Sequence, residues 1–220
     1  MVTCFFVSIR SFDVRRLRSA DVAALAQAMC DTATIILDLR LNGGGSGSAV
    51  VELASLFLPP QTPVLQIRTR QWQMQQEPFI IHTLPEEANL DHALEVELLR
   101  QHHWVEYRTK SRNMPIGSDK HGVVLIDKQC YSNGEIFVRC MQEYTSAAIV
   151  GNKTAGYVVA ADEHDIGKGY KITVPFAEML SGQGTQLEGV GVQPDIEADF
   201  GDLNEEQIID NLYEMNVLRR

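Results

Sequence analysis

The stretch that decides the fold is residues 33–45, ATIILDLRLNGGG, in which an apolar segment leads directly into three consecutive glycines. Its centre, residues 34–37, is apolar or β-branched at every position, which is typical of a strand buried on both faces in a parallel sheet. The glycines end that strand, and residues 49–58 follow with the apolar pattern of a helix that stops at two prolines. This stretch therefore predicts a strand, a glycine turn and a helix in succession.

A second unit of the same kind lies further along the chain. Residues 122–127, GVVLID, predict a buried strand, residues 132–144 predict a helix, and residues 147–151 predict a third short strand. Strands that alternate with helices in this way indicate an α/β domain with a mostly parallel sheet.

The remaining segments extend this pattern over a single predicted domain of residues 1–220. Further predicted strands are 5–12, 63–70 and 167–176, and further predicted helices are 19–30, 85–101 and 204–220. In the strand 167–176 we expect Ile172 and Val174 to face inward. Residues 71–120 have the least regular pattern and are interpreted as a variable insertion, for which a lid and an oligomer contact both stay open.

Composition excludes several classes of protein. Hydrophobic residues make up 45% of the chain and charged residues 22%, which is typical of a globular protein. The 29 acidic and 19 basic side chains give a net charge of -10, which disfavours nucleic acid and anionic membrane surfaces as partners. No apolar run has the roughly 18–20 residues of a membrane span, so no membrane insertion is expected.

The cysteines and the first residues bear on compartment and cofactors. The four cysteines are widely spaced, without CxxC pairs or neighbouring histidines, so neither a metal site nor a disulfide framework is expected. The segment 1–10 lacks the basic leader and the long apolar core of a secretory signal. We therefore expect reduced core thiols, no cofactor, no metal and a cytoplasmic location.

Two turns combine backbone breaks with polar residues. At Gly43 and Gly44, peptide N–H groups can approach a ligand without a Cβ in the way, and the following helix adds positive potential. The alternative is that the glycines only allow the sharp turn from strand to helix and bind nothing. Ser132 begins the second helix, where the dipole favours an anion and the amide of Asn133 can donate to an oxyanion. The alternative there is a capping box, in which Ser132 bonds the amide of Glu135 and Glu135 bonds back.

Four ordered segments resemble one known family: residues 35–45, 123–137, 149–156 (IVGNKTAG) and 188–196 (EGVGVQPDI). Together they resemble the C-terminal processing peptidases, a family that includes the tricorn core protease and the repeats of interphotoreceptor retinoid-binding protein. The resemblance covers most of residues 5–198. It implies a crotonase-like (ClpP-type) α/β fold of stacked ββα units, and a serine nucleophile that cleaves unstructured or C-terminal peptide segments.

The resemblance also implies roles for individual residues. Ser132 matches the family nucleophile, and the amides of Asn133 and of the Gly43–Gly44 turn match the oxyanion donors. Glu188 is similar to the carboxylate that completes the charge network in tricorn-type members. The chain departs from the family at Tyr157, which stands where processing peptidases have their general-base lysine.

The general base is therefore open. Tricorn-type members use a histidine upstream of the segment with which this chain begins, so a base from a missing N-terminal region or another subunit is one alternative. A second is that His164 or Lys153 has taken over, although a solvated His164 and a structural Lys153 are the simpler interpretations. The third is that the chain is not catalytic.

The leading hypothesis is a serine peptidase that acts on peptides or unstructured proteins and lacks the N-terminal and PDZ regions of its family. The first alternative is a non-catalytic module that binds a peptide or an apolar ligand in the same cleft. The second is a crotonase-type acyl-CoA enzyme, which fits residues 188–196 and the setting of Ser132 less well. Homo-oligomer formation stays open.

Overall fold

The computed structural model describes residues 4–13, 19–72, 77–82, 92–110 and 120–218. Its elements in chain order are β1 Cys4–Ser8, α1 Ser19–Met29, β2 Thr34–Asp38, α2 Gly47–Ala54, β3 Pro63–Thr69, β4 Phe79–His82, α3 His92–His102, β5 Trp104–Arg108, β6 His121–Ile126, α4 Asn133–Tyr144, β7 Ala148–Gly151, β8 Val159–Gly167, β9 Tyr170–Ser181, β10 Ile196–Glu197 and α5 Glu205–Glu214. The described part is thus a mixed α/β fold.

The first sheet is wholly parallel and has the strand order β1-β2-β6-β7-β10. Its central strands β2 and β6 are neighbours, with Ile36 opposite Val123. Because parallel strands end at the same edge of a sheet, the glycine turn after β2 and the serine turn after β6 meet there. This pairing is what brings the two candidate turns together.

The second sheet has the order β4-β5-β3-β9-β8, and only the β4–β5 pair in it is parallel. The predicted mostly parallel pairing therefore describes the first sheet and not the second. Strands β4 and β5 lie inside the segment 71–120 that was interpreted as irregular, and β8 was not predicted either. These strands are short or polar, so their own residues carry little of the apolar alternation that marks a strand.

The two faces of the parallel sheet pack against different partners. Ile35, Leu37 and Val124 belong to the larger core, which also contains apolar residues of α2, α4 and the second sheet. Ile36 and Val123 point to the other face and pack with Ile208 and Leu212 of α5 in a smaller core. A strand that buries both faces is apolar along its centre, as residues 35–37 are.

The outer part of the β8–β9 hairpin corrects one prediction. Ile172 and Val174, expected to face inward, are 47% and 40% exposed. Their alternation identifies one face of a strand correctly, but the described residues place no second layer over that face. Alternation alone does not specify whether such a layer exists.

Some predicted bounds and thiols also differ. The helix predicted for 85–101 is observed as α3 His92–His102, with residues 85–91 of the prediction outside the described residues. Cys130 and Cys140 are buried as expected, whereas Cys30 is exposed and so is no core thiol. None of the helices in the described ranges is long and apolar enough to cross a membrane.

Candidate active site

Asn42 joins the glycine turn to the serine turn. Its side chain is fully buried, donates to the carbonyl of Ile9 over 2.7 Å and accepts from the amide of Gly44 over 2.8 Å. Its backbone carbonyl accepts from the amide of Tyr131 over 3.0 Å. Asn42 therefore holds both turns in place. The sequence analysis treated Asn42 only as part of a strand break. An Asn between a strand and three glycines does, however, indicate a turn in which the side chain bonds the backbone two residues on.

Ser132 has a backbone conformation that non-glycine residues rarely adopt. It lies at the N-terminus of α4 with φ 56° and ψ −129°, and its side chain makes no capping hydrogen bond. The alternative interpretation, in which the hydroxyl of Ser132 accepts from the amide of Glu135, is not observed, because that bond needs an extended N-cap residue. A sharp, strained turn between a strand and a helix presents a serine hydroxyl away from the backbone. Here Ser132 is partly exposed.

The glycine turn lies directly against this serine. A Cβ built on Gly44 would be 2.7 Å from the Cβ of Ser132 and 3.0 Å from both its Oγ and the amide nitrogen of Asn133. Gly44 also has φ +72°, in the left-handed region. Only glycine satisfies both the space and the backbone conformation at this position.

The predicted oxyanion donors differ in what they bind. The amide of Gly43 donates to the carbonyl of Arg10 over 3.1 Å, and the amide of Gly44 donates to the side chain of Asn42. Both glycine amides are thus engaged within the chain, contrary to the expectation that they point into the site. The amide of Asn133 has no acceptor among the described residues, so it is the predicted donor that stays available.

Glu135 is a buried carboxylate surrounded by neutral hydrogen-bond donors, among them the backbone of Ser132. It accepts from the hydroxyl of Thr154, from the amide of Gly156 over 2.8 Å and from the amide of Tyr157 over 3.0 Å. Burial raises the pKa of Glu135, and these hydrogen bonds only partly oppose that rise because no cation accompanies them. The sequence analysis considered Glu135 only as part of a possible cap and missed these contacts, since the partners are about 20 residues away.

Residues 154–158, which we call the linking segment, connect the other predicted site residues. The carbonyl of Tyr157 accepts from the amide of Ser132 over 2.9 Å. The next amide, that of Val158, donates to Glu188 over 2.5 Å. The linking segment therefore joins Ser132, Glu135 and Glu188 in one hydrogen-bonded group.

His164, Lys153 and Tyr157 do not supply a base next to Ser132. His164 is exposed on β8, five residues beyond Val159, and a strand rise of about 3.3 Å per residue puts its backbone about 16 Å further along the strand. His164 is therefore out of reach as a base in this structure, which corrects that candidate. Lys153 and the side chain of Tyr157 are exposed, the latter 70%. No described side chain is hydrogen-bonded to the hydroxyl of Ser132.

Asp38, the last residue of β2, forms ion pairs next to the glycine turn. It is fully buried and pairs with Arg10 over 2.9 Å and with Arg40 over 2.9 and 3.0 Å. Burial by itself raises the pKa of Asp38, but the two guanidinium groups outweigh it and hold the pKa below its usual value. Asp38 therefore stays ionised and locks the end of β2.

The described residues contain no group of three or more His, Cys, Asp or Glu side chains that could hold a metal ion. The adjacent His102 and His103 lie at the end of α3 and directly after it. His102 stacks on Phe79 with ring centroids 4.2 Å apart, and His103 contacts the hydroxyl of Thr69. Both histidines are thus engaged in local packing.

Comparison with known proteins shows which proteins the chain is similar to. A carboxyl-terminal-processing protease of Synechocystis is 28% identical over 73% of this chain, and a probable CtpA-like serine protease of Staphylococcus epidermidis is 24% identical over 82% of it. The chain covers 30% of the length of each. The crystal structure of mature CPAF shares the fold with a TM-score of 0.66 and 15% identity, over 97% of this chain and 50% of that one.

The family model for peptidase family S41 matches residues 5–198. That range contains both turns, the linking segment and Glu188, and it coincides with the range over which the four segments resembled C-terminal processing peptidases. The resemblance inferred from those segments is thereby confirmed. This chain belongs to peptidase family S41.

Proposed function

We propose that the chain is a serine peptidase, in which Ser132 attacks the carbonyl carbon of a peptide bond and forms an acyl-enzyme. The observation that carries the proposal is the strained, uncapped Ser132 held against Gly44. Strain at a non-glycine residue persists only where surrounding contacts impose it, and such positions concentrate at functional sites. The crotonase-like description of the fold belongs to this proposal as well.

The amide of Asn133 would donate to the oxyanion of the tetrahedral intermediate. It follows the nucleophile directly and sits at the N-terminus of α4, where the helix dipole also favours negative charge. A second donor would come from the glycine turn, after the Gly44 amide exchanges the Asn42 side chain for the substrate oxygen. Both donors would then act on the same atom.

Glu188 would orient the base that accepts the proton of Ser132. The carboxylate of Glu188 accepts from the amide of Val158, and Val158 directly follows Tyr157. The carbonyl of Tyr157 in turn accepts from the amide of Ser132. A carboxylate that accompanies a base holds it in the correct orientation and stabilises its protonated form. The base itself would come from outside the described residues or from another chain.

Tyr157 favours one second candidate, a non-catalytic module that binds peptides in the same cleft. It stands where the processing peptidases have their lysine, and its ring is 70% exposed. A hydroxyl without a base is a poor nucleophile. In that case Ser132 would keep its strained geometry without reacting.

A fluorophosphonate probe distinguishes the two functions. The peptidase proposal predicts covalent labelling of the wild-type chain, no labelling of Ser132→Ala and full labelling of Ser46→Ala. Ser46 is a matched control because it also begins a helix that follows a strand of the parallel sheet. Labelling that survives Ser132→Ala, or a wild type that neither reacts nor cleaves unfolded peptides, would contradict the proposal.

A further inference from the structure

Arg68 on β3 lies between the two tryptophans of the chain. Its guanidinium carbon is 4.3 Å from the ring centroid of Trp72 and 4.6 Å from that of Trp104. The two rings themselves meet edge to face at 5.7 Å. Two indole faces around one planar cation fix its orientation, so the guanidinium is organised before any ligand arrives.

This cation has no anionic partner among the described residues. Its hydrogen-bond partner is the neutral side chain of Gln66, and its buried Nε has no acceptor. Burial lowers the pKa of Arg68, and the more distant charges of Glu178 and Glu106 oppose that shift only partly. By contrast, five other arginines among the described residues each pair with a carboxylate: Arg10, Arg40, Arg100, Arg108 and Arg139. A half-buried cation without a partner is costly, which is reason to look for a ligand.

A cavity of about 440 Å³ lies beside this guanidinium. Arg68 and Arg70 contribute positive charge to it, Trp72 and Phe176 contribute aromatic surface, and Glu178 contributes one carboxylate. Arginine recognises carboxylates through paired N–H donors in one plane. The cavity thus combines a fixed carboxylate-binding group with apolar walls, which is the usual make-up of a ligand subsite.

The cavity lies close to Ser132 along the chain, because Val159, which lines it, is two residues beyond Tyr157, whose carbonyl accepts from the amide of Ser132. Val159 pairs with Glu178, which in turn pairs with Arg68. Neighbouring strands are about 4.8 Å apart, so the backbone of Arg68 lies about 10 Å from that of Val159. An extended peptide spans this distance and the step to Ser132 with about three to five residues.

We propose that this cavity binds a carboxylate of the peptide substrate, about three to five residues from the bond that Ser132 cleaves. The carboxylate can be the C-terminal α-carboxylate or an acidic side chain, since the guanidinium meets the same group in both. This inference rests on the proposed peptidase function, and it assigns Arg68 the role of selecting substrates.

The two tryptophans make the test independent of turnover, because both indole rings contact Arg68 and report on its surroundings. Tryptophan emission would be followed while the full chain carrying Ser132→Ala is titrated with eight-residue Ala/Gly/Ser peptides. Three forms would be compared: a free C-terminal acid, its C-terminal amide, and the amide with one internal Glu. We expect one or both carboxylate forms to bind about tenfold more tightly than the plain amide.

The pattern of binding identifies the source of the carboxylate. Tight binding of the free acid alone assigns the α-carboxylate, and tight binding of the Glu peptide assigns a side chain. Equal emission changes and affinities for all three peptides would overturn the inference. If Ser132 failed to react with the fluorophosphonate probe while carboxylate binding persisted, the proposed function would fall, and the cavity would remain a carboxylate-binding site without a role in cleavage.

Three variants complete the test. Arg68→Gln should abolish the preference for carboxylate, whereas Arg100→Gln should keep it, because Arg100 loses the same charge from an exposed position on α3. Glu178→Gln leaves the tryptophan pair untouched and removes a like charge, so it should tighten carboxylate peptides by a few-fold and leave the amide unchanged. Preference that survives Arg68→Gln, or a Glu178→Gln without effect on the carboxylate forms, would contradict the proposal.

Discussion

Two serines begin helices after neighbouring strands of the same parallel sheet, yet they have different conformations. Ser46 precedes α2 with φ −85° and ψ 138°, and its side chain accepts from the amide of Ser48 over 3.2 Å. Ser132 precedes α4 with φ 56° and ψ −129° and caps nothing. The first is an ordinary structural cap, whereas the second leaves its hydroxyl available for chemistry.

The difference in conformation comes from backbone hydrogen bonds to residues remote in sequence. The amide of Ser132 donates to the carbonyl of Tyr157, and the preceding amide, on Tyr131, donates to the carbonyl of Asn42. Both partners are remote in sequence, and together they impose a backbone conformation that a local cap would not adopt. A serine at a helix start is therefore a candidate nucleophile only when tertiary contacts prevent it from capping.

The largest expected effect comes from filling the contact between the two turns. Gly44→Ala would place a Cβ against the side chain of Ser132, and we expect peptide turnover to fall by at least about 100-fold because the nucleophile moves. Gly184→Ala is the matched control, since Gly184 also has positive φ but no heavy atom within 4 Å of an added Cβ. Steady-state kinetics of both variants measures the difference.

Both glycine variants should lose about 1 kcal/mol in the free energy of unfolding from the unfavourable φ alone. Full activity in Gly44→Ala, or equal inactivation of Gly184→Ala, would show that the close contact with Ser132 has no role.

The next effect concerns the two buried carboxylates, one near each turn. Asp38 is paired with arginines and has a lowered pKa, so its contribution to stability is present above its unfolded pKa of about 3.9. That contribution is lost as the pH falls through the still lower folded value. Asp38→Asn should therefore cost about 3 kcal/mol at pH 7, with the difference shrinking at pH below about 3.9. Urea unfolding as a function of pH measures it.

Glu135 should have the opposite pH dependence, because burial without a cation raises its pKa. Its contribution to stability is fully present below the unfolded pKa of about 4.3 and is lost as the pH rises through the folded pKa. The stability of wild type relative to Glu135→Gln should consequently fall as the pH rises from about 4. A rise over that range would contradict the assigned environment.

The smallest effect separates the two serines by stability. Ser46→Ala should lose about 1 kcal/mol, since a capping hydrogen bond disappears. Ser132→Ala should change the free energy of unfolding by less than about 0.5 kcal/mol, because no hydrogen bond of its side chain is lost. Ser132→Gly should be more stable than Ser132→Ala, since glycine adopts the strained conformation freely. Equal losses for the two alanine variants would remove the distinction drawn between the turns.

Much of the parallel sheet could be predicted from local pattern. Residues 35–37 and 123–126 are apolar at every position, which is typical of strands buried on both faces of a parallel sheet. The pairing of Ser132 with a glycine turn was also predictable, since both follow strands of one sheet. By contrast, β8 and the exposed face of β9 were not, because a hairpin beyond the core can carry either polar or apolar residues.

The sequence by itself determined the central strands of the parallel sheet with the helices that follow them, the two breaks that flank the candidate site, and the resemblance to the family. The tertiary structure decided which serine is strained, which amides stay available, and that Arg68 has no anionic partner among the described residues. The physical reason is one of range. Apolar periodicity and turn chemistry act between residues that are near in sequence. The long-range hydrogen bonds of Asn42, Glu135 and Ser132 join residues 19 to 89 positions apart, and these residues meet only after the sheets have formed.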